Sequence, residues 1–377
     1  MSKNGDGEGS IRQRPDGRFE ARLRVGDGKR RGYYGKSRKE VRVKLEAVRR
    51  DHEAGRLSKD PKKEVGPYLD EWLTQSAARR VKPTTLDSYR LNVTRLQKHL
   101  GAVRMDKLRH THIQAAYDAL RDDGLAERTV QQVHGVLRMA LRQAVKWGYI
   151  PYCPTDLVET PRPPHKEMRP LTADEARALL EASKAERLYA LWAVLIATGL
   201  RMGEATALAW DDVDLQKRTV RVRRTLHRQV GKGMLFGEPK TTRSRRTVKL
   251  PAVAVAALRT HRMGQVEERL LAGSEWRDQG LIFATVTGGP LDGGYLNQAL
   301  HRSLAAAGLP RVRIHDLRHT AATLMLERGA SIKAVQNALG HSTAMQTMNT
   351  YAHLTTDMQD EAVLAMDALF STTKEAV

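Results

Sequence analysis

The chain has 377 residues, with 64 Lys+Arg against 43 Asp+Glu, and so carries a formal charge of +21 and a pI near 10.2. Its length allows two or three domains, and the excess points to a polyanion, most simply nucleic acid, although 5% aromatics argue against a single-strand stacking platform. Cys153 is the only cysteine, which excludes an internal disulfide and a Cys-based zinc site, and the longest apolar run, Leu188–Leu200, is too short to span a bilayer.

With no charged-then-apolar leader, the chain reads as cytoplasmic. Ser10–Arg14, Arg18–Val25 and Arg30–Tyr34 read as three short strands, split by Pro15-Asp16-Gly17 and Gly26-Asp27-Gly28 turns. Ser37 followed by Glu40 is a capping box that opens a helix running to about Glu53. Residues 1–63 hold 20 Lys+Arg against 10 Asp+Glu, so about one sixth of the chain carries nearly half of the excess charge. Arg18, Arg22 and Arg24 share one face of the middle strand by period two, and a sheet laid in a major groove could use them for base and phosphate contacts.

Lys59–Glu64 is a polar linker, and Val65 to Trp147 then reads as helical. Val65, Tyr68, Leu69, Trp72 and Leu73 have helical spacing; Pro83 opens a second helix with Tyr89, Val93, Leu96 and Leu100 on one side. Thr111–Leu120 and Thr129–Trp147 supply two more. Pro151 to Pro170 holds six prolines and reads as an extended linker. A further domain should begin near Pro170, where Thr172 and Glu175 form another capping box.

Ala190–Thr198 is an apolar helix ended by Gly199, and Arg201 follows that turn on rigid backbone, with Glu204 one helical turn on. Thr219–Arg223 alternates as a strand, Gly231–Gly237 reads as a Gly-rich turn, and Pro239–Leu250 reads as a returning strand crowded with basic residues, Lys240, Arg243 and Arg245 among them. Helices follow at Val253–Leu271 and Tyr295–Ala307.

His315 and Arg318 are three apart and share a face on a helix start. Ile332–Leu339 is a short amphipathic helix that Gly340 ends, His341 follows, and Tyr351 comes ten residues later. Two histidines, an arginine and a tyrosine from this stretch could converge on one phosphate. Asp357–Phe370 closes the chain as an amphipathic helix.

Taken as an ordered set, Arg201 with Glu204, His315-x-x-Arg318, Leu339-Gly340-His341 and Tyr351 resemble the signature of tyrosine recombinases, the phage integrase family that includes lambda integrase, Cre and the Xer proteins. Tyr351 stands one residue further from His341 than is usual there, and Thr350 precedes it where an apolar residue is commoner.

The resemblance implies a multidomain, mainly α chain: an arm-type DNA-binding sheet plus helix (1–63), a helical core-binding bundle (64–150), a linker (151–169) and a mixed α+β catalytic domain (170–377) with a C-terminal helix. It also implies a site-specific recombinase. Tyr351 would be the nucleophile, Arg201 and Arg318 would neutralise the phosphate, and His315 would exchange the tyrosine proton. His341 would bond a phosphate oxygen, and Lys240, at the head of Lys-Thr-x-x-Ser-x-Arg, would protonate the leaving 5′ oxygen. Glu204 would support, and Arg18, Arg22, Arg24, Arg243 and Arg245 would contact DNA.

The ester keeps the bond energy, so no cofactor and no metal is implied. The partners implied are double-stranded core and arm attachment sites and a homotetramer on DNA; an excisionase and a host DNA-bending protein are left open. The rival readings are a type IB topoisomerase, a Xer-type resolvase and a DNA-binding regulator with a dead site.

Overall fold

The computed structural model describes residues 10–25, 29–53, 60, 62–164, 169–238 and 245–340, with backbone alone for 24–25, 29–31 and 47–53. It is mostly helical with small antiparallel sheets, and it divides into two compact units, Met1–His165 and Lys166–Val377. No helix among the described residues is long and apolar enough to cross a membrane.

The first unit begins with β1 (Ser10–Gln13), β2 (Phe19–Val25) and β3 (Lys29–Gly35), an antiparallel sheet in that order, followed by α1 (Arg38–Glu53). Strand alternation sets its two faces. Ala21 and Leu23 pack on Val41 and Leu45 of α1, with Ile11, Phe19 and Tyr33 at the margin. Glu20 and Arg22 therefore lie on the face away from α1. Ser37 caps α1 by accepting from Glu40 N at 3.2 Å, but the Glu40 carboxylate reaches back to Lys36 N at 2.9 Å rather than to Ser37.

A separate core fills α2 (Val65–Gln75), α3 (Pro83–Leu100), α4 (His110–Asp122) and α5 (Glu127–Lys146). Every apolar residue whose spacing predicts α2 is buried in it, and Trp72 stacks on the half-buried Tyr89 of α3 at 5.8 Å. Within the stretch read as an extended linker, Pro154–Leu157 form a 3-10 turn and Cys153 is buried against the bundle. The apolar side of Cys153 and the φ of Pro154 suit a packed turn.

The second unit is built around α7 (Tyr189–Thr198), with α6 (Ala173–Ala182) before it and α8 (Met202–Ala205) after it. All residues of α7 except Tyr189 and Ala197 are buried, so it is apolar all round, as a central helix must be. The capping box of α6 forms in both directions, between Thr172 and Glu175. β4 (Val213–Asp214), β5 (Thr219–Val222) and β8 (Arg246–Lys249) make one antiparallel sheet, order β4-β5-β8.

β6 (Thr225–Gln229) and β7 (Gly233–Gly237) make a second, a separate hairpin. The Gly-rich turn expected at Gly231–Gly237 is thus a corrected reading: only Val230–Lys232 turn, and Gly233–Gly237 pairs as a strand. The glycines at both ends of β7 hid its short apolar centre, Met234–Phe236. α9 (Ala252–Ala272), α10 (Gly293–Ala306), α11 (Ile314–Glu327) and α12 (Ile332–Leu339) complete the described chain. Both α9 and α11 pack on α7. The helix expected at Asp357–Phe370 lies outside the described residues.

Candidate active site

The site grows from the end of α7. Gly199 stops that helix with φ of 65°, and Leu200 is buried beside it. These anchors hold the next residue, Arg201, at the cap of α8. Its N–H donates to Glu204 Oε2 at 3.1 Å and its Nη1 donates to Glu204 Oε1 at 2.9 Å. The Arg201 side chain keeps 36% of its surface exposed, whereas that of Glu204 keeps 2%. Arg201 is thus held through its backbone N–H and its guanidinium, while about a third of its side chain stays exposed.

Arg318 comes from the first turns of α11, and Leu317 beside it is in the core. The side chain is buried and reaches across two elements. Nη1 donates to Gly199 O and Nη2 to Leu339 O, each at 2.7 Å. These are the groups at the ends of α7 and α12 that helical hydrogen bonding leaves unmet. A charged donor suits the negative end of a helix.

Arg246 on β8 completes the arrangement. Its Nη2 donates to Glu204 Oε2 at 3.0 Å, and its Nε donates to Ala338 O at 3.0 Å. Arg201 Nη2 donates to Gly340 O at 3.4 Å. Three consecutive carbonyls at the end of α12 (Ala338, Leu339 and Gly340) therefore accept from Arg246, Arg318 and Arg201. Burial alone would push the Glu204 carboxyl up; hydrogen bonding to Arg246 and the charges of Arg246 and Arg201 outweigh it and hold its pKa below the ordinary value. Glu204 is ionised at neutral pH and is matched by two guanidinium groups.

His315, one turn before Arg318, lies on the solvent side of α11. Protein packed against its ring, and then the Arg318 charge, lower its pKa, with Arg201 contributing to the same effect. Its ring meets that of His319 edge-on at 5.2 Å. His319 is pushed down to about 4, by burial first and by His315 second. Both imidazoles are neutral at pH 7, so His315 can accept a proton.

The structure thus brings Arg201, Glu204, His315 and Arg318 together. His341, which follows the clasped carbonyls directly, lies outside the described residues, as do Tyr351, Lys240 and Arg243. Arg245 is exposed and pairs with Glu238 at 2.6 Å. In the N-terminal sheet, Arg18 is exposed, the Arg24 side chain is outside the description, and Arg22 donates to Glu20 at 2.9 Å. Glu20 also accepts from Arg12 at 2.7 Å and Tyr34 at 3.3 Å, and the two guanidinium groups hold its pKa at about 2.

Glu20, His319 and Arg246 are not among the residues that the sequence motifs single out. Arg246 was legible in one respect. It alternates with Val248, so period two puts both on the core side of β8.

Among the described residues no group of His, Cys, Asp and Glu could hold a metal ion.

Residues 169–358 match the model of the phage integrase family, and residues 65–121 match the phage integrase N-terminal SAM-like domain. A tyrosine recombinase XerC-like protein of Caldanaerobacter subterraneus is 30% identical over 367 residues, covering 90% of this chain and 92% of that one. An integrase of Streptomyces ambofaciens is 30% identical over 349 residues, covering 89% and 88%. Among solved structures, the Tn1549 transposon integrase in complex with a circular intermediate DNA matches with a TM-score of 0.69 at 22% identity, covering 81% of this chain and 99% of that one. A lambda integrase tetramer bound to a Holliday junction matches with a TM-score of 0.56 at 20% identity, covering 92% and 96%. The fold is theirs, and the chain belongs to the phage integrase family, the tyrosine recombinases.

Proposed function

We propose that this protein cuts and rejoins double-stranded DNA at defined attachment sites through a 3′-phosphotyrosine on Tyr351, integrating and excising a mobile element. One observation carries the reading: Arg201 and Arg318, far apart in sequence, are both bonded to the carbonyls that immediately precede His341. The family match runs to residue 358 and takes in His341 and Tyr351.

In this mechanism the Tyr351 oxygen attacks the scissile phosphorus, its proton passes to His315, and the bond to the 5′ oxygen breaks. Arg201 and Arg318 offset the charge on the nonbridging oxygens, since planar guanidinium forks match such oxygens and stay charged. Donors of this kind contribute about 10²–10³-fold each in rate. His341 bonds a nonbridging oxygen, and Lys240 protonates the departing 5′ oxygen. A partner strand's 5′ hydroxyl reverses the attack and exchanges strands, with the bond energy held in the ester.

The described cores support a division of labour. Residues 1–63 bind arm sites through the sheet face that carries Arg18, Arg22 and Arg24. Residues 64–150 bind the core site, 151–169 link, and 170–377 carry the chemistry. A lambda integrase has been seen as a tetramer on a Holliday junction; a homotetramer on DNA is the assembly proposed here, with an excisionase and a host bending protein as accessory partners.

The test is Tyr351→Phe on a suicide core substrate. DNA binding should persist and the covalent adduct should vanish. An undiminished adduct removes Tyr351 from the mechanism.

A further inference from the structure

We propose that Arg246 is a positioning residue for strand cleavage, setting Arg201 through Glu204 and setting the exit of α12 through Ala338. It lies on β8, next to Arg245, for which a DNA contact is expected. Its geometry differs from that of its neighbour. The Arg246 side chain keeps 9% of its surface exposed, against 57% for Arg245 next to it. A guanidinium this enclosed is turned toward the protein.

Two of its bonds run in different directions. Nη2 donates to Glu204 Oε2 and Nε donates to Ala338 O, both at 3.0 Å. Glu204 passes the first constraint on, because its other oxygen accepts from Arg201 at 2.9 Å. The second constraint acts on the last turn before His341. Gly340 leaves room for it: a β-carbon there would stand 3.0 Å from Arg246 Cζ and Nη1.

A planar fork can serve both acceptors at once, which one ammonium group cannot. The Glu204 carboxylate, deprived of Arg246, would remain buried with half of its compensation gone. Its oxygens would turn toward Arg201 alone, and the Arg201 tip would move. A displacement of about 1 Å at a reacting centre can cost on the order of 10²-fold in rate.

This inference rests on the assignment of Arg201 to the phosphate charge, and the experiment separates the two. Covalent adduct formation is measured on two suicide core substrates, one with the normal scissile phosphodiester and one with a methylphosphonate, which lacks one negative oxygen. Core-site affinity is measured alongside.

Arg246→Met should bind core DNA within about threefold of the parent, because its side chain is enclosed. It should cleave the phosphodiester about 10- to 100-fold more slowly and the neutral linkage with a much smaller deficit. Arg201→Ala should show the same charge-dependent pattern. Arg246→Lys should stay deficient on the phosphodiester, because it keeps the charge and loses the second bond; it also serves as the reading if Arg246→Met does not give a cooperative melt. Arg246→Met with Glu204→Gln removes the unmatched charge and should still show the deficit.

Equal slowing on both linkages by Arg246→Met, with the charge-dependent pattern intact in Arg201→Ala, overturns the positioning role. Loss of core-site affinity in proportion to the lost rate also overturns it and makes Arg246 a DNA contact. If Arg201→Ala lacks the pattern, the Arg201 assignment fails and this inference fails with it.

Discussion

Gly199 and Leu339 pack so closely that a β-carbon on Gly199 would overlap the Leu339 side chain, and it would also stand 3.3 Å from the Ala321 β-carbon. The end of α7 is therefore closed against α11 and α12 by the absence of a side chain. The same residue needs its left-handed φ of 65°. Gly199→Ala should cost about 1–2 kcal/mol for backbone conformation alone, with overlap adding to it. Leu339→Ala should cost about 2–5 kcal/mol as a buried truncation. The double variant should be more stable than the sum predicts, by about 0.5–3 kcal/mol, because the truncation relieves the overlap. Chemical denaturation of the four proteins measures this coupling, and strict additivity would refute it.

The two histidines of α11 make stability depend on acid. His319, at about 4, lies below its ordinary 6.5, and His315 is lowered as well. Below pH 6.5 the unfolded chain takes up protons that the folded chain refuses, so stability is full above pH 6.5 and falls as the pH drops toward 4. Asp316, Arg313 and Arg318 surround the pair and keep their charges through most of that window. His319→Gln should flatten the fall between pH 6.5 and about 4 relative to the parent chain, read by thermal melts across that range. An unchanged slope would show that other groups cause it.

Lys240 can be tested by changing the leaving group. An alkoxide leaves slowly without a proton, whereas a bridging 5′ sulfur leaves as a thiolate and needs little protonation. Lys240→Ala should therefore cleave a normal core site slowly and a bridging 5′-phosphorothiolate site at nearly the parent rate. Arg201→Ala and Arg318→Ala should show no such rescue, since the role proposed for them is at the nonbridging oxygens. A variant that stays slow on sulfur would move the acid to another residue, with Lys249 on β8 the next to test because an arginine holds its proton too tightly.

Removing residues 1–63 should weaken binding to arm DNA and flatten its salt dependence, because fewer counterions are released. Core-site cleavage should survive. Within that sheet, Glu20 neutralises Arg12 and Arg22, so Glu20→Gln should steepen the dependence on log salt by about one. Filter binding across a salt series reads both. Loss of core cleavage with arm binding intact would refute the division of labour.

Much of this was legible in the sequence. Helical spacing predicted α2 to α5 because one face must be apolar, and Thr172 with Glu175 predicted the α6 cap because a side-chain oxygen and an N–H three residues on must meet. The stops at Gly199 and Gly340 were also local, since left-handed backbone favours glycine. The ordered residues from Arg201 to Tyr351 carried the family. What the sequence left open was non-local. Gly233–Gly237 became a strand only through its pairing with Thr225–Gln229, which its own glycines do not encode. Arg246 read as one more basic residue, and Arg22 as a free contact, because a cation's role depends on which carboxylate the fold brings to it. Only the tertiary structure placed Arg201, Arg246 and Arg318 on three successive carbonyls, since packing of α7, α11, α12 and β8 brings together donors and acceptors that lie far apart along the chain.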